Sequence, residues 1–185
     1  MGWICLAAFG MALFVTGLYA ALVVASDADD QVEIWADDQM EIEAEKITPK
    51  VWVRYQVPLD DTLQQYIEEK CREYQIPSSV VMAIIGIESN YDPGRIGDGG
   101  NSFGLMQIWE TCHHDRCVRL GADNLLSPYQ NVTVGIDYLA WLLDKYDGDY
   151  KEALSEYNND FTGTYAKKVL DLAECLSEGV MPVTE

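Results

Sequence analysis

Apolar and polar positions divide the chain into three zones. Residues 3–25 carry no charge at all, and about 20 apolar residues are what a helix needs to cross a bilayer. Residues 26–46 are acidic and poor in aromatic side chains, a composition that does not bury itself. Beyond them apolar residues return at spacings that predict elements. Trp52, Val53, Tyr55 and Val57 predict a short extended arm over residues 48–57, ended by Pro58. Leu63, Tyr66, Ile67, Cys71 and Tyr74 recur at helical spacing behind a cap at Asp60 or Asp61. Pro77 breaks that helix, and Ser78 is expected to cap the next one. The run 80–87 is rich in β-branched residues and reads as a strand by propensity, but the length of 78–90 favours a helix.

Downstream, Ser127-Pro128 predicts a cap followed by proline at the first helical position. Val132, Ile136, Leu139, Leu143 and Tyr146 then form an apolar stripe that Gly148 ends. Asp149 with Glu152 resembles a capping box for a helix carrying Ala153, Leu154 and Tyr157. Thr164 is expected to cap a last helix with Tyr165, Val169, Leu172 and Leu176 on one face. The expected organisation is a membrane anchor or signal segment at 1–26, an acidic linker and extended arm at 27–57, and one mainly helical domain at 58–185.

The first zone favours an uncleaved anchor over a cleaved signal peptide. It has no basic residue before Trp3, its apolar core is long, and Val23-Val24-Ala25 fits a small-residue cleavage site poorly. Neither flank carries Lys or Arg, so charge gives almost no orientation. Overall charge is −19, with 12 Lys and Arg against 31 Asp and Glu. That balance disfavours nucleic acid, whose phosphates need basic contacts. Nine of the acidic residues lie between Asp27 and Glu45 with no basic one among them, which reads as a solvated spacer.

The chemistry concentrates where the run 80–87 meets Glu88. A glycine-rich segment follows, Gly94, Gly97, Gly99, Gly100 and Gly104, and the apolar residues Leu105, Met106 and Ile108 then return the chain. A carboxyl at the end of a buried element holds its proton to higher pH, because burial disfavours the charged form. That suits a general acid working near neutrality. The bland alternative is a glutamate that terminates a helix before an ordinary loop.

The motifs E-S-N-Y-D-P and N-S-F-G-L-M-Q-I, at this spacing, resemble the soluble lytic transglycosylase domain, glycoside hydrolase family 23, which also holds the goose-type lysozymes. The resemblance spans roughly residues 58–176. It continues in N-V-T-V-G-I-D-Y-L-A-W-L-L-D-K-Y, in A-L-S-E-Y-N-N-D against the family's A-L-A-A-Y-N-A-G, and in Y-A-K-K-V. Two departures stand out: Glu156 replaces a small residue, and Asn159-Asp160 replaces Ala-Gly. Asn131-Val132-Thr133 is formally a glycosylation sequon, given no weight in what resembles a bacterial-type enzyme.

The resemblance implies a lysozyme-like fold and a peptidoglycan substrate, with no cofactor and no metal. It implies that Glu88 is acid and then base. Ser102, Met106 and Gln107 would line the groove, and Tyr157 and Asn158 would orient Glu88 and the substrate's N-acetyl group. From spacing alone, Met106 and Tyr157 read as core, and Phe103 is expected in the core. The reaction implied is non-hydrolytic and leaves 1,6-anhydromuramoyl ends. The alternative is hydrolysis of the goose-lysozyme kind, with Asp98 positioning a water. That enzyme type has a second acidic residue where this chain has Trp109, which favours the anhydro route. An inactive wall-binding module in a cell-envelope machine is the third possibility, and the intact Glu88, Ser102, Gln107, Tyr157 and Asn158 argue against it.

Residues 111–117 read T-C-H-H-D-R-C. Cys112, His113, His114, Asp115 and Cys117 are metal-ligand types, but their spacing matches no strong zinc signature. A loop closed by a disulfide is favoured. Outside the anchor there are four cysteines, an even number that suggests two bridges in an exported domain. The preferred pairing is Cys112–Cys117 with Cys71–Cys175.

Overall fold

The computed structural model describes residues 51–179 and 181–184. The proposed anchor at 3–25 and the acidic linker lie outside the described residues. Among the described residues no helix is long and apolar enough to cross a membrane.

Six helices carry the domain: α1 (Asp61–Glu73), α2 (Ser78–Ser89), α3 (His114–Leu120), α4 (Pro128–Lys145), α5 (Tyr150–Tyr157) and α6 (Thr164–Glu178). Strand β1 (Val51–Arg54) pairs antiparallel with β5 (Met181–Thr184), with Trp52 opposite Val183 and Val53 opposite Pro182. Between α2 and α3 a small antiparallel sheet forms from β2 (Ile96–Gly97), β3 (Ser102–Phe103) and β4 (Ile108–Trp109).

The β-branched run lies in α2, and its burial explains why. Val80, Val81, Met82, Ala83, Ile84 and Ile85 are all buried, so this helix is enclosed on every side rather than along one stripe. Its most extensive partner is α6. Tyr165, Ala166, Val169 and Ala173 are the buried residues of that partner. An enclosed helix needs apolar residues in succession, which is the pattern that also suits a buried strand. α2 ends at Ser89, because Asn90 takes the left-handed conformation, with φ 52°.

Asp60 caps α1 by accepting from Leu63 N–H at 2.9 Å, and Asp149 caps α5 by accepting from Lys151 and Glu152. Three expected caps differ. Ser78 is the first residue of α2, and its hydroxyl bonds Tyr55 Oη at 2.8 Å and donates to Glu68. Ser127 precedes Pro128 as expected but makes no capping hydrogen bond. α6 starts at Thr164 with Gly163 as its cap residue, so no side chain is available at that position.

Of the arm expected at 48–57, Val51–Arg54 form strand β1. Trp52 and Tyr55 are buried on the domain, and β1 packs beside α1. The sequence reading did not anticipate β5. Its four residues show no alternation, and Pro182 weakens a strand reading except at an edge. α3 likewise replaces the loop expected over 111–117. Asp137 on α4 ties this helix down, accepting from Arg116 Nε at 2.7 Å and from Arg119 at 2.6 Å, while Tyr74, just past α1, donates to the same carboxylate at 3.1 Å.

Candidate active site

Glu88 stands in the last turn of α2, half-buried, at the end of the enclosed helix. Its Oε1 accepts two hydrogen bonds. Tyr165 Oη, from the first turn of α6, donates at 2.6 Å, and Asn158 Nδ2, just past α5, donates at 3.2 Å. Both donors fall on one oxygen, which leaves Oε2 to carry the proton. Burial raises the Glu88 pKa above the ordinary carboxyl value. The bonds from Tyr165 and Asn158 work against that rise, the charge of Asp98 adds to it, and Arg95 opposes it. The burial effect wins, so the group keeps its proton to higher pH than a free glutamate. The Tyr165 hydroxyl is itself pushed far up by burial and by Glu88, so it remains a donor throughout the working range.

One side chain holds the turn from Phe103 to Gln107. Asn131 on α4 is completely buried. Its Oδ1 accepts from Met106 N–H at 2.8 Å, and its Nδ2 donates to the Phe103 carbonyl at 2.7 Å and the Leu125 carbonyl at 2.9 Å. The turn passes so close that a Cβ on Gly104 would lie 2.4 Å from the Leu125 oxygen and 2.5 Å from Asn131 Nδ2, and Gly104 has φ +72°. Only glycine fits both demands. Met106 is fully buried against α4, where a Cβ on Gly135 would meet its Sδ at 2.3 Å.

The other expected site residues take these places. Ser102 is buried and donates its hydroxyl to Asp98 Oδ2. Asp98, in the left-handed conformation with φ 48°, is exposed and near enough for its charge to act on Glu88. Gln107 donates through Nε2 to the carbonyls of Gly104 at 2.9 Å and Arg95 at 3.2 Å, which stitches the glycine-rich segment together. Tyr157 donates its hydroxyl to the Met106 carbonyl at 2.9 Å rather than to Glu88. Its ring lies parallel to that of Tyr165, with centroids 6.5 Å apart. Met106 therefore meets Tyr157 through its backbone, while its side chain packs in the core. Phe103 is partly buried against the core, as the sequence predicts.

These features coincide with a family pattern. The transglycosylase SLT domain model matches residues 65–168. The chain belongs to this family. Two solved structures share the fold of the SLT domain described here. The lytic transglycosylase Slt of Pseudomonas aeruginosa, solved as an inactive mutant, is 18% identical with a TM-score of 0.57, over 65% of this chain and 24% of its own. The 70 kDa soluble lytic transglycosylase of Escherichia coli is 21% identical with a TM-score of 0.54, over 63% of this chain and 24% of its own. At these identities the likeness is one of fold, and this chain spans about a quarter of either protein.

Two residues of the SLT domain site escaped the sequence reading. Tyr165 read as part of an apolar stripe, which its ring is; no local signal marks where its hydroxyl goes. Asn131 read as part of a sequon and as the first residue of the family-like stretch N-V-T-V-G-I-D-Y, with no role of its own. A signal was available, since an asparagine at the start of an apolar stripe is out of place unless its amide has buried partners.

The cysteine reading is corrected. Cys71, Cys112, Cys117 and Cys175 are all unpaired. Each expected pair joins a buried thiol to an exposed one: Cys71 and Cys117 face the core, while Cys112 and Cys175 face solvent. Among the described residues no group of three His, Cys, Asp or Glu side chains is placed to hold a metal ion. His113 instead lies against the Tyr138 ring, with centroids 4.3 Å apart, and bonds Arg116 through Nδ1. Burial, with Arg116 beside it, lowers its pKa to about 4.

Proposed function

We propose that this protein cleaves the β-1,4 bond between N-acetylmuramic acid and N-acetylglucosamine in peptidoglycan without water, with Glu88 as acid and then base. The observation that carries the reading is the half-buried Glu88 carboxyl, clamped through Oε1 by Tyr165 and Asn158 with Oε2 left to serve the substrate. Family membership supports it.

In this reading Glu88 gives its proton to the glycosidic oxygen as the bond from muramic C1 breaks. The substrate's N-acetyl oxygen stabilises the developing cation. The C6 hydroxyl of the same muramic residue then attacks C1, and its proton passes to the Glu88 carboxylate. One C–O bond breaks, one forms, the acid is regenerated and a 1,6-anhydromuramoyl end results. Clamping one oxygen suits this double duty, because the free oxygen faces both reacting groups in turn. The reading places the domain outside the cell, where its substrate lies, and assigns residues 3–25 to the membrane; their uncharged length supports that assignment.

Hydrolysis is the second reading, favoured by one observation: Asp98 is near enough for its charge to act on Glu88. Its Oδ2 is, however, engaged by the Ser102 hydroxyl, which suits a loop brace better than a water-holding base. Mass analysis of products from purified cell wall decides, since hydrolysed and anhydro ends differ by one water. Anhydro ends, retained in Asp98→Asn, are expected. Reducing ends lost in Asp98→Asn mean that hydrolysis is the reaction.

A further inference from the structure

The residue that replaces the family's glycine after α5 holds the Glu88 clamp together. Residues 158–163 link α5 to α6, and the two donors to Glu88 flank them: Asn158 at the start and Tyr165 just beyond the end. A link with Asn159 at φ 56° and Gly163 at φ 76° needs something to fix its path. α6 also begins without a side-chain cap, because Gly163 occupies the cap position. Asp160 answers both needs. Its Oδ2 accepts from Tyr165 N–H at 2.8 Å. Its Oδ1 accepts from Thr162 N–H at 3.0 Å and from the Thr162 hydroxyl at 2.6 Å. Its own N–H donates to the Ser155 carbonyl at 2.8 Å, inside α5, where Ser155 is buried. Asp160 thus grips both helices that carry the clamp, and a carboxylate at a helix N-terminus is favoured by the exposed N–H groups there.

We propose that Asp160 is a positioning residue, which sets Tyr165 and Asn158 against Glu88 Oε1 and so fixes the protonation and orientation of the acid. The catalytic consequence rests on the proposed role of Glu88; the geometric part does not. Hydrogen bonds from Thr162 and from the Tyr165 and Thr162 amides, with Lys168 nearby, keep the Asp160 pKa low, so the carboxylate stays charged where the protein works. The groups around Glu88 are the Tyr165 hydroxyl and Asn158, which bond it, and Asp98, Arg95 and Tyr157, which lie within electrostatic reach. Of these, loosening the link changes the bonds from Tyr165 and Asn158, both of which lower the Glu88 pKa. Their loss moves it upward.

The test titrates the Glu88 carboxyl by carbon NMR in the full chain, with the resonance identified by its absence in Glu88→Gln. Asp160→Ala is expected to raise the Glu88 midpoint and to lower the rate of wall cleavage by about tenfold, the size of one hydrogen bond to a charged group. Asp160→Asn, which keeps the volume and one acceptor, is expected to fall between the two. Combining Asp160→Ala with Tyr165→Phe should add little to Tyr165→Phe alone, because both act through the same bond. An unchanged Glu88 midpoint in folded Asp160→Ala and Asp160→Asn overturns the proposal, whatever the activity. An altered midpoint alongside full activity in Glu88→Gln leaves the positioning intact and instead overturns the reading of Glu88 as the acid.

Discussion

Tyr165 donates to Glu88 Oε1 at 2.6 Å, joining the start of the last helix to the end of the second across 77 positions of sequence. The neighbouring Tyr157, whose ring lies parallel to it, sends its hydroxyl to the Met106 carbonyl instead. Two neighbouring tyrosines therefore do different work: one bonds the Glu88 carboxyl, the other the turn that carries Met106.

Phenylalanine substitutions should separate them. Tyr165→Phe removes a bond that lowers the Glu88 pKa, so the alkaline limb of the pH–rate profile moves up while the rate falls about tenfold or more, as for a lost hydrogen bond to a charged group. Tyr157→Phe leaves the Met106 carbonyl unpaired. It should cost about 1 kcal/mol or somewhat more in stability and leave the alkaline limb where it is. Equal shifts of that limb in the two variants would contradict the division.

The acid itself is tested by Glu88→Gln. Gln preserves shape and the ability to accept from Tyr165 and Asn158 but has no proton to give. Wall cleavage should fall by ~10²–10⁴-fold, with an unchanged melting curve. On the proposed mechanism the active form of the parent protein is the protonated one. Because burial raises the Glu88 pKa, activity should persist above the range of a free glutamate and decline as pH rises through the raised value. A rate that climbs steadily into alkaline solution is the contrary result.

Asn131→Ala should be among the most damaging polar substitutions in the domain. It strips partners from the Met106 N–H and from the Phe103 and Leu125 carbonyls, all close-packed around Gly104. A buried unsatisfied group costs about 1–3 kcal/mol, and partial relaxation makes about 3 kcal/mol a fair expectation for the whole site. Chemical denaturation measures it. A loss below about 1 kcal/mol would mean that the turn holds without this anchor.

Thiol labelling of the native protein, read by peptide mass, should modify Cys112 and Cys175 readily and Cys71 and Cys117 only after unfolding. Burial also pushes the Cys71 and Cys117 thiols up in pKa, which slows the thiolate chemistry further. Recovery of a Cys112–Cys117 or Cys71–Cys175 linked peptide would restore the disulfide pairing that the structure overturns.

Much of the domain was legible one segment at a time. Repeating apolar positions placed α1, α4, α5 and α6, because a helix with one buried face must repeat near every 3.6 residues. The unbroken run before Glu88 put a carboxyl at the mouth of a buried element, and the glycines around Gly104 marked a turn that admits no side chain. The sequence thus determined where a half-buried carboxyl stands along the chain. Tertiary structure decided what holds it. An apolar period reports which way a ring faces and says nothing of the polar atom at its tip, so Tyr157 and Tyr165 were alike until α2, α5 and α6 came together. Asn131 became an anchor only when Met106, Phe103 and Leu125 were brought around its amide. Asp160 looked like a departure from a motif until Gly163 proved to leave α6 uncapped. The cysteines went astray for the same reason: an even count says that pairs can exist, but the fold decides which thiols meet, and these four stay unpaired.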